Sequence, residues 1–370
     1  MAKGKWIGII WTSALVVILQ ASNGLGIEIN DKISIEGVLA GAYQYQNVDA
    51  PFDQDNAGRG ALPFEPEIRI RLTEKDEIFF KLGFAAGNGL NEISPFNLAP
   101  WAAPLEDDVK DINGRNRDYL LTAWYAHTFA FNEEHTLQLT GGIIDATDYL
   151  DQNAFSNDEF SQFMNEALVN APNAFLPSFD IGGAADWDMG NFEIAAVYMN
   201  VGENRDGNNF NYYGIEVQYN LNMSLGKGGY RVIISYGSED FLDPTGQSLE
   251  SRAIVLFSFD QKFGEIIGAW VRFGFQDDKA AVNYENIYSG GIDISGTLWG
   301  RQKDNMGIGY GYLDGCNQDI EKTQVAEAYV RFVLDKYFAL TFDVQYMRDE
   351  LKSGEGPKGF IYGIRLAAHF

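Results

Sequence analysis

This chain has a single cysteine, Cys316, and only three histidines, His127, His135 and His369. One thiol cannot form an intramolecular disulfide or a multi-cysteine metal site, and is read as a bystander. The three histidines fall on separate elements, so neither a His-based zinc site nor a Ser/His/Asp triad is within reach. Basic residues are also scarce: 27 Lys and Arg face 52 Asp and Glu, for a net charge of −25. Nucleic acid is therefore excluded as a partner, because phosphate binding needs clustered Lys and Arg. The acidity fits a solvated surface, or loops that hold divalent cations. There is no GxSxG, no phosphate loop, no internal repeat and no low-complexity linker. The acidic run Glu106, Asp107 and Asp108 sits in a polar loop and reads as solvated. Neither a cofactor nor an enzymatic activity is expected.

Long apolar runs are missing too, with one exception at the N-terminus. Lys3 and Lys5 precede an apolar run over 6–19, followed by the small residues Ala21, Ser22 and Gly24. This is the charged, apolar and cleavable pattern of a secretory signal peptide. The run is too short for a comfortable membrane-spanning helix. The expected organisation is a signal peptide over 1–24, cleaved near 21–26, and one exported domain over 25–370.

What the chain does have is alternation. Ile33, Ile35, Gly37, Leu39, Gly41, Tyr43 and Tyr45 share one parity, against Ser34, Glu36, Ala40, Ala42 and Gln44. Tyr213, Ile215, Val217, Tyr219 and Leu221 alternate with Tyr212, Gly214, Glu216, Gln218 and Asn220. Segments beginning at Ala253 and Phe338 repeat the pattern. Successive side chains of a strand point to opposite faces, so each strand has an apolar face tipped by aromatics and a mixed, polar face. Strands of about ten residues with aromatic ends describe a lipid-facing band with interfacial girdles.

Alternation places about sixteen strands, the even number of an outer-membrane barrel. They lie at 32–47, 65–73, 77–85, 116–130, 135–144, 178–188, 191–200, 210–221, 228–238, 250–260, 264–276, 287–300, 304–313, 324–334, 337–347 and 359–370. Short turns then alternate with long loops at 48–64, 86–115, 145–177, 201–209, 239–249, 277–286, 314–323 and 348–358. The expected fold is an all-β transmembrane antiparallel barrel, with long extracellular loops and short periplasmic turns. Phe360, Tyr362, Ile364, Leu366, Ala368 and Phe370 form an outward row. A closing strand that ends in such an aromatic is the signal read by the bacterial barrel insertion machinery. The outer membrane of a Gram-negative-type bacterium, with its lipid and lipopolysaccharide, is the expected setting.

A barrel of this size is too wide for side chains to fill, so water enters and function rests on what narrows the lumen. The third long loop, 145–177, is expected to fold into the pore, with a short helix over 157–170 whose apolar stripe is Phe160, Phe163, Met164, Ala167 and Leu168. Charges fall on the polar parity. An Arg on the lipid face at the bilayer midplane costs about 2–4 kcal/mol, so these side chains point inward. Candidate constriction residues are Arg69, Arg71, Arg231, Arg252, Arg272, Arg331, Glu216 and Glu327, opposed by Asp145, Asp148 and Asp151. Trp124 and Trp270 share that parity as stacking platforms. A basic wall facing an acidic loop sets up a transverse field that favours polar, hydroxyl-rich solutes. The same charges could instead pair across strands and stabilise the barrel.

Three segments resemble the carbohydrate-selective porins of the OprB type. Residues 141–172 (GGIIDATDYLDQNAFSNDEFSQFMNEALVNAP) are similar to that family's strand, Asp-rich loop and ND…QF stretch. Residues 296–312 (GTLWGRQKDNMGIGYGY) resemble its Gly-Arg-x-x-Asp turn and Gly-rich strand. Residues 327–347 (EAYVRFVLDKYFALTFDVQYM) resemble its Glu-x-x-Tyr strand, short turn and DVQY strand. The chain departs from the family at Phe342, where Pro is common, and at Arg348, Asp349 and Glu350, where Asn-Pro-Gly is common. The resemblance implies passive, cofactor-free diffusion of small carbohydrates or other polar solutes, and many porins of this size are homo-oligomers. A general or ion-preferring porin, a plugged structural or adhesive barrel and an outer-membrane hydrolase are the other readings to separate.

Overall fold

The computed structural model describes residues 26–50, 56–132 and 134–370. The segment read as a signal peptide lies outside the described residues. β1 (Ile27–Asn30) is a short tab on β2 (Ile33–Asp49). The wall continues through β3 (Ala57–Arg71), β4 (Asp76–Leu82), β5 (Phe84–Ala86), β6 (Leu120–Ala130), β7 (His135–Ile144), β8 (Asp180–Met189) and β9 (Phe192–Val201). It is completed by β10 (Phe210–Met223), β11 (Gly226–Leu242), β12 (Leu249–Phe263), β13 (Ile267–Gln276), β14 (Tyr284–Ser295), β15 (Asn305–Gly315), β16 (Ile320–Val333), β17 (Phe338–Leu351) and β18 (Gly354–His369). Each strand pairs antiparallel with the next, and β18 closes on β2 from Lys358 opposite Asp49 to His369 opposite Val38. With β1 set aside, and β4 and β5 counted as one strand interrupted at Gly83, the wall is a closed barrel of sixteen strands. Closure satisfies the backbone of every strand edge, the condition for crossing lipid.

The outer surface shows why alternation was so regular. Across β9, β10 and β11, Ile194, Val217 and Val232 are register partners, and so are Ala196, Ile215 and Ile234. These rows are flanked by aromatic rows. Tyr198, Tyr213 and Tyr236 lie toward the long loops, with ring centroids 5.3 and 6.4 Å apart. Toward the short turns, Phe192 and Tyr219 are 4.9 Å apart, and Tyr230 and Phe259 are 5.6 Å apart. Ile234, Tyr213 and Phe342 expose half of their surface outward. Water disfavours such an array; hydrocarbon bordered by headgroups matches it.

Phe370 is covered rather than displayed. Its N–H donates to the Gly37 carbonyl (3.1 Å), its own carbonyl accepts from Gly37 N–H (3.0 Å), and its ring packs on Phe64 at 6.0 Å. Gly37 has φ of +153° and faces the backbone of Glu65 and Pro66, so a Cβ there would strike both that backbone and the Phe370 ring. A residue without a side chain is needed at this seam.

Two strand assignments from the sequence need correction. Of the expected long loops, 348–358 shrinks to 352–353 and 314–323 to 316–319. β15 to β18 run on as hydrogen-bonded hairpins beyond the apolar band. There the outward row is charged, joined by Lys322–Glu350 (3.0 Å), Arg348–Glu350 (2.8 Å) and Lys358–Asp49 (3.4 Å), while Ile320 and Leu351 still pack inward. Apolar alternation marks where lipid begins and ends, not where pairing ends. For the same reason β3 begins at Ala57, inside the expected first loop.

Candidate functional site: the lumen and its two inward loops

Two segments leave the long-loop rim and enter the barrel: 87–119, between β5 and β6, and 145–179, between β7 and β8. They clasp each other. Ala102 N–H donates to the Met164 carbonyl (2.8 Å), Glu166 N–H to the Ala99 carbonyl (3.1 Å), and Trp101 Nε1 to the Glu159 carbonyl (3.0 Å). The clasp then bonds to the wall. Glu327 on β16 accepts from Met164 N–H (2.6 Å) and Asn165 N–H (2.9 Å). Gln345 on β17 donates to the Pro100 carbonyl (2.9 Å) and accepts from Asn165 Nδ2 (2.9 Å). Arg365 on β18 donates to the carbonyls of Glu159 (2.6 Å) and Gln162 (2.9 Å).

The helix expected over 157–170 reduces to α1 (Glu166–Val169). Its would-be backbone partners are taken by the wall and by the neighbouring loop, so the segment stays mostly extended. The apolar stripe is satisfied without helical spacing. Phe163 packs edge-on against Trp270 (5.6 Å) and Tyr329 (5.1 Å), and Phe160 against Trp101 (6.3 Å). Leu168, Leu150, Leu90 and Leu98 join a buried cluster with the inner faces of β10 to β18, including Tyr212, Ile233, Leu256, Ile287, Leu313, Val325, Met347 and Ile361. This side of the lumen is filled by loop side chains, with apolar contacts set among the buried polar ones of the mixed face that was expected.

Of the predicted wall charges, several meet the loop or each other. Arg272 bonds Asp151 at 2.9 Å with both side chains sealed from solvent, and donates to Ser156 Oγ at 2.7 Å. Glu216 accepts from Asp151 N–H (2.8 Å), and Arg231 bridges Asp260 (2.5 Å) and Glu216 (3.9 Å). Glu327 is a loop anchor, as described. Arg252 lies over the Phe175 ring at 3.9 Å and donates to Gln276 (2.5 Å) near the long-loop rim. Trp270, nearly fully buried, supports Phe163. Asp145 caps a short turn through Thr147 N–H (2.8 Å). Arg331, Arg71 and Asp148 lie apart from this group, and Arg71 and Asp148 are exposed.

On the opposite side, along β3 and β4, several charged side chains keep part of their surface accessible. Lys81 reaches Glu67 (3.3 Å) and Glu65 (3.8 Å), and lies in the fields of Asp145 and Asp148 from the loop. Arg69 pairs with Glu77 and lies over Phe79, on which Trp124 stacks at 4.9 Å. Asp158 and Glu159 of the loop are close enough to Glu65 to repel it. Burial, then the charges of Asp158 and Glu65, push Glu159 up to about 8. Acidic groups thus outnumber basic ones along the passage.

Glu65, Gln345 and Asn165 were missed in the site reading, whereas Lys81 and Arg365 were legible as inward charges and Glu159 as an acid of the loop without being placed at the site. Parity marks all the wall members as inward. Nothing in the sequence says which of them face the loop and which face water.

No family model matches the chain. An uncharacterised protein of Aquifex aeolicus is 30% identical over 309 residues, which cover 82% of this chain and 85% of the relative. The chain belongs to one family with that protein. Among solved structures, Pseudomonas putida OprB at high pH superposes with a TM-score of 0.73 at 14% identity, over 97% of each chain. An anion-selective porin from Comamonas acidovorans superposes with a TM-score of 0.51 at 12% identity, over 91% of this chain and 99% of that one. The fold is that of the OprB-type porins.

Proposed function

Starting from an OprB-type barrel, we propose that this chain is an outer-membrane porin through which small hydrophilic solutes, carbohydrates foremost, diffuse down their gradients. One observation carries the reading. The two inward loops pack on one side of the lumen, whereas on the other Glu67, Lys81 and Arg69 keep part of their side chains accessible, with Trp124 stacked nearby on Phe79, and in this reading they edge a passage. Carboxylates and cations there exchange hydrogen bonds with hydroxyls at little desolvation cost, whereas an apolar solute would have to strip that water. Aromatic faces match the apolar faces of pyranose rings. The likeness of 141–172, 296–312 and 327–347 to the carbohydrate-selective porins supports the same reading, and the aromatic-bordered outer band supports residence in a membrane.

In this reading the wall charges serve two roles. Arg272, Arg231, Glu216 and Glu327 hold the loops, and Lys81, Arg69, Asp148 and Glu159 face the solute. The test is swelling of liposomes bearing the purified protein in isotonic sugars and salts. Monosaccharides and disaccharides are expected to enter faster than salts and amino acids of the same size. Uptake ordered by size alone would leave a general porin; no uptake of any solute would point to a plugged barrel.

A further inference from the structure

At the short-turn end, the loop and the wall border an open pocket of about 420 Å³. Its roof is the loop segment with Phe155 and Gln162, and its wall is formed by the ends of β13 to β16. We infer that this pocket is a binding site for a neutral mono- or disaccharide at the short-turn end of the barrel; the inference rests on the carbohydrate reading above.

Three observations carry it. First, Arg331 is an inward arginine that the barrel does not use. Arg231, Arg272 and Arg365 are bonded to carboxylates, hydroxyls or loop carbonyls. Among the described residues Arg331 makes no ion pair or side-chain hydrogen bond, and its Nε is buried without a partner. A buried guanidinium N–H left unbonded costs about 1–3 kcal/mol or more, and a ligand hydroxyl arriving in the cavity would satisfy it.

Second, register places complementary groups beside it. Asn305 is directly opposite Arg331 on one side and Ser295 on the other. Directly opposed residues have Cβ atoms about 4.5–5.5 Å apart, so these side chains form one continuous row. Asp293 accepts from Asn305 Nδ2 at 2.7 Å and adds a carboxylate to the row. Hydroxyl, amide, guanidinium and carboxylate together offer donors and acceptors in alternation.

Third, the row faces an apolar surface. Gly268 has no side chain, and the Phe155 ring fills the place where its Cβ would stand. The ring is thereby seated against the wall at the cavity edge, and Phe155 N–H is tied to Asn153 Oδ1 at 3.1 Å. The cavity lining carries three basic residues, Lys262, Lys303 and Arg331, and three acidic ones, Glu265, Asp293 and Asp304. In a chain of net charge −25, such a balance favours a neutral ligand over an ion.

The test is saturation-transfer NMR on the purified detergent-solubilised protein, titrated with D-glucose, maltose and D-glucose 6-phosphate. Wild type is expected to give a saturable signal with one or both neutral sugars. Arg331→Gln and Phe155→Ala should each raise the half-saturating concentration about fivefold to tenfold, the loss of one charged hydrogen bond or one stacked ring. Heat-modifiable gel mobility and far-UV circular dichroism establish that each variant is a folded barrel. Arg331→Lys should recover part of the affinity, since it keeps the charge and one donor. Unchanged half-saturation in both variants overturns the site, and so does saturable binding of the phosphate alone or of nothing. Liposome swelling on the same preparation separates the two readings. Sugar uptake without saturable binding removes this site and leaves the porin. Arg331-dependent binding without uptake leaves the site and removes the transport reading.

Discussion

Arg272 and Lys81 both point into the lumen from the middle of a strand, yet they sit in opposite surroundings. Arg272 is fully buried, bonded to an equally buried Asp151 and to Ser156, and covered by a loop whose leucines and phenylalanines pack on β10 to β18. Lys81 keeps about a fifth of its side chain open to solvent, among Glu65, Glu67, Asp145 and Asp148. The same class of residue is a fastener on one side and a pore-lining charge on the other. What differs is the loop. Where it lies down, wall charges are desolvated and must find fixed partners; where it stands off, water and solute take that place. The lumen is therefore packed like a core where the loop lies down and more accessible where it stands off.

The largest effect should come from breaking the sealed side. Arg272→Ala leaves Asp151 buried without its cation, a change that costs about 3–5 kcal/mol when a buried pair loses one member. The loop is the part free to move. We expect single-channel conductance to rise several-fold, larger solutes to enter liposomes, and the 145–179 segment to become sensitive to proteases. Conductance and cleavage identical to wild type would mean that the loop is held without this pair. Glu327→Gln should act in the same direction but less strongly, because the amide oxygen still accepts from Met164 or Asn165 and only one of the two acceptor contacts is lost. About 1–2 kcal/mol of anchoring is at stake, read as a smaller rise in conductance.

The barrel, its strand order and the inward direction of the charges within the apolar band were legible from parity, because lipid imposes a period of two on each strand. The two sides of the lumen were not. Arg272 and Lys81 have identical sequence signatures, a cation flanked by outward apolar residues. Their fates are decided by 145–179 bonding to residues more than a hundred positions away, as with Met164 and Glu327 or Ser156 and Arg272. The helix over 157–170 failed for the same reason: its apolar spacing suits a helix in isolation, but the wall supplies bonds to Met164 and Asn165 that a helix would have supplied internally. Arg365 was visible as an inward charge, and its role as a loop clamp became clear only from the carbonyls of Glu159 and Gln162.

On the open side, charge changes should alter selectivity and leave the fold alone. Lys81→Gln removes the cation that sits among Glu65, Glu67 and Asp148. The passage becomes more negative, and potassium should gain over chloride by about twofold to fourfold in permeability ratio, measured as the reversal potential in a KCl gradient at low ionic strength. The same substitution should leave conductance near its wild-type value. A large conductance increase would show that Lys81 fastens the loop, and would erase the distinction from Arg272.

The smallest effect is one of pH, and it bears on the boundary between the two sides. Glu159 gives its backbone carbonyl to Arg365 and Trp101 in the clasp, while its carboxyl neighbours Asp158 and Glu65 beside the passage. Burial and those two charges push its carboxyl up to about 8. The group is mostly neutral at pH 7 and ionises as pH rises through about 8, which adds one negative charge beside Asp158 and Glu65. Cation over anion permeability should therefore increase modestly between pH 7 and 9, with a midpoint near 8, and Glu159→Gln should flatten that step. The stability sign is opposite. Holding the folded-state carboxyl above its ordinary value of 4.5 favours the fold most when the group is protonated in both states, and that contribution declines as pH rises from about 4.5 to 8. Raising the pH should thus sharpen selectivity while loosening the clasp. A permeability step that survives in Glu159→Gln would assign the titration to another carboxylate of the passage and leave Glu159 on the sealed side.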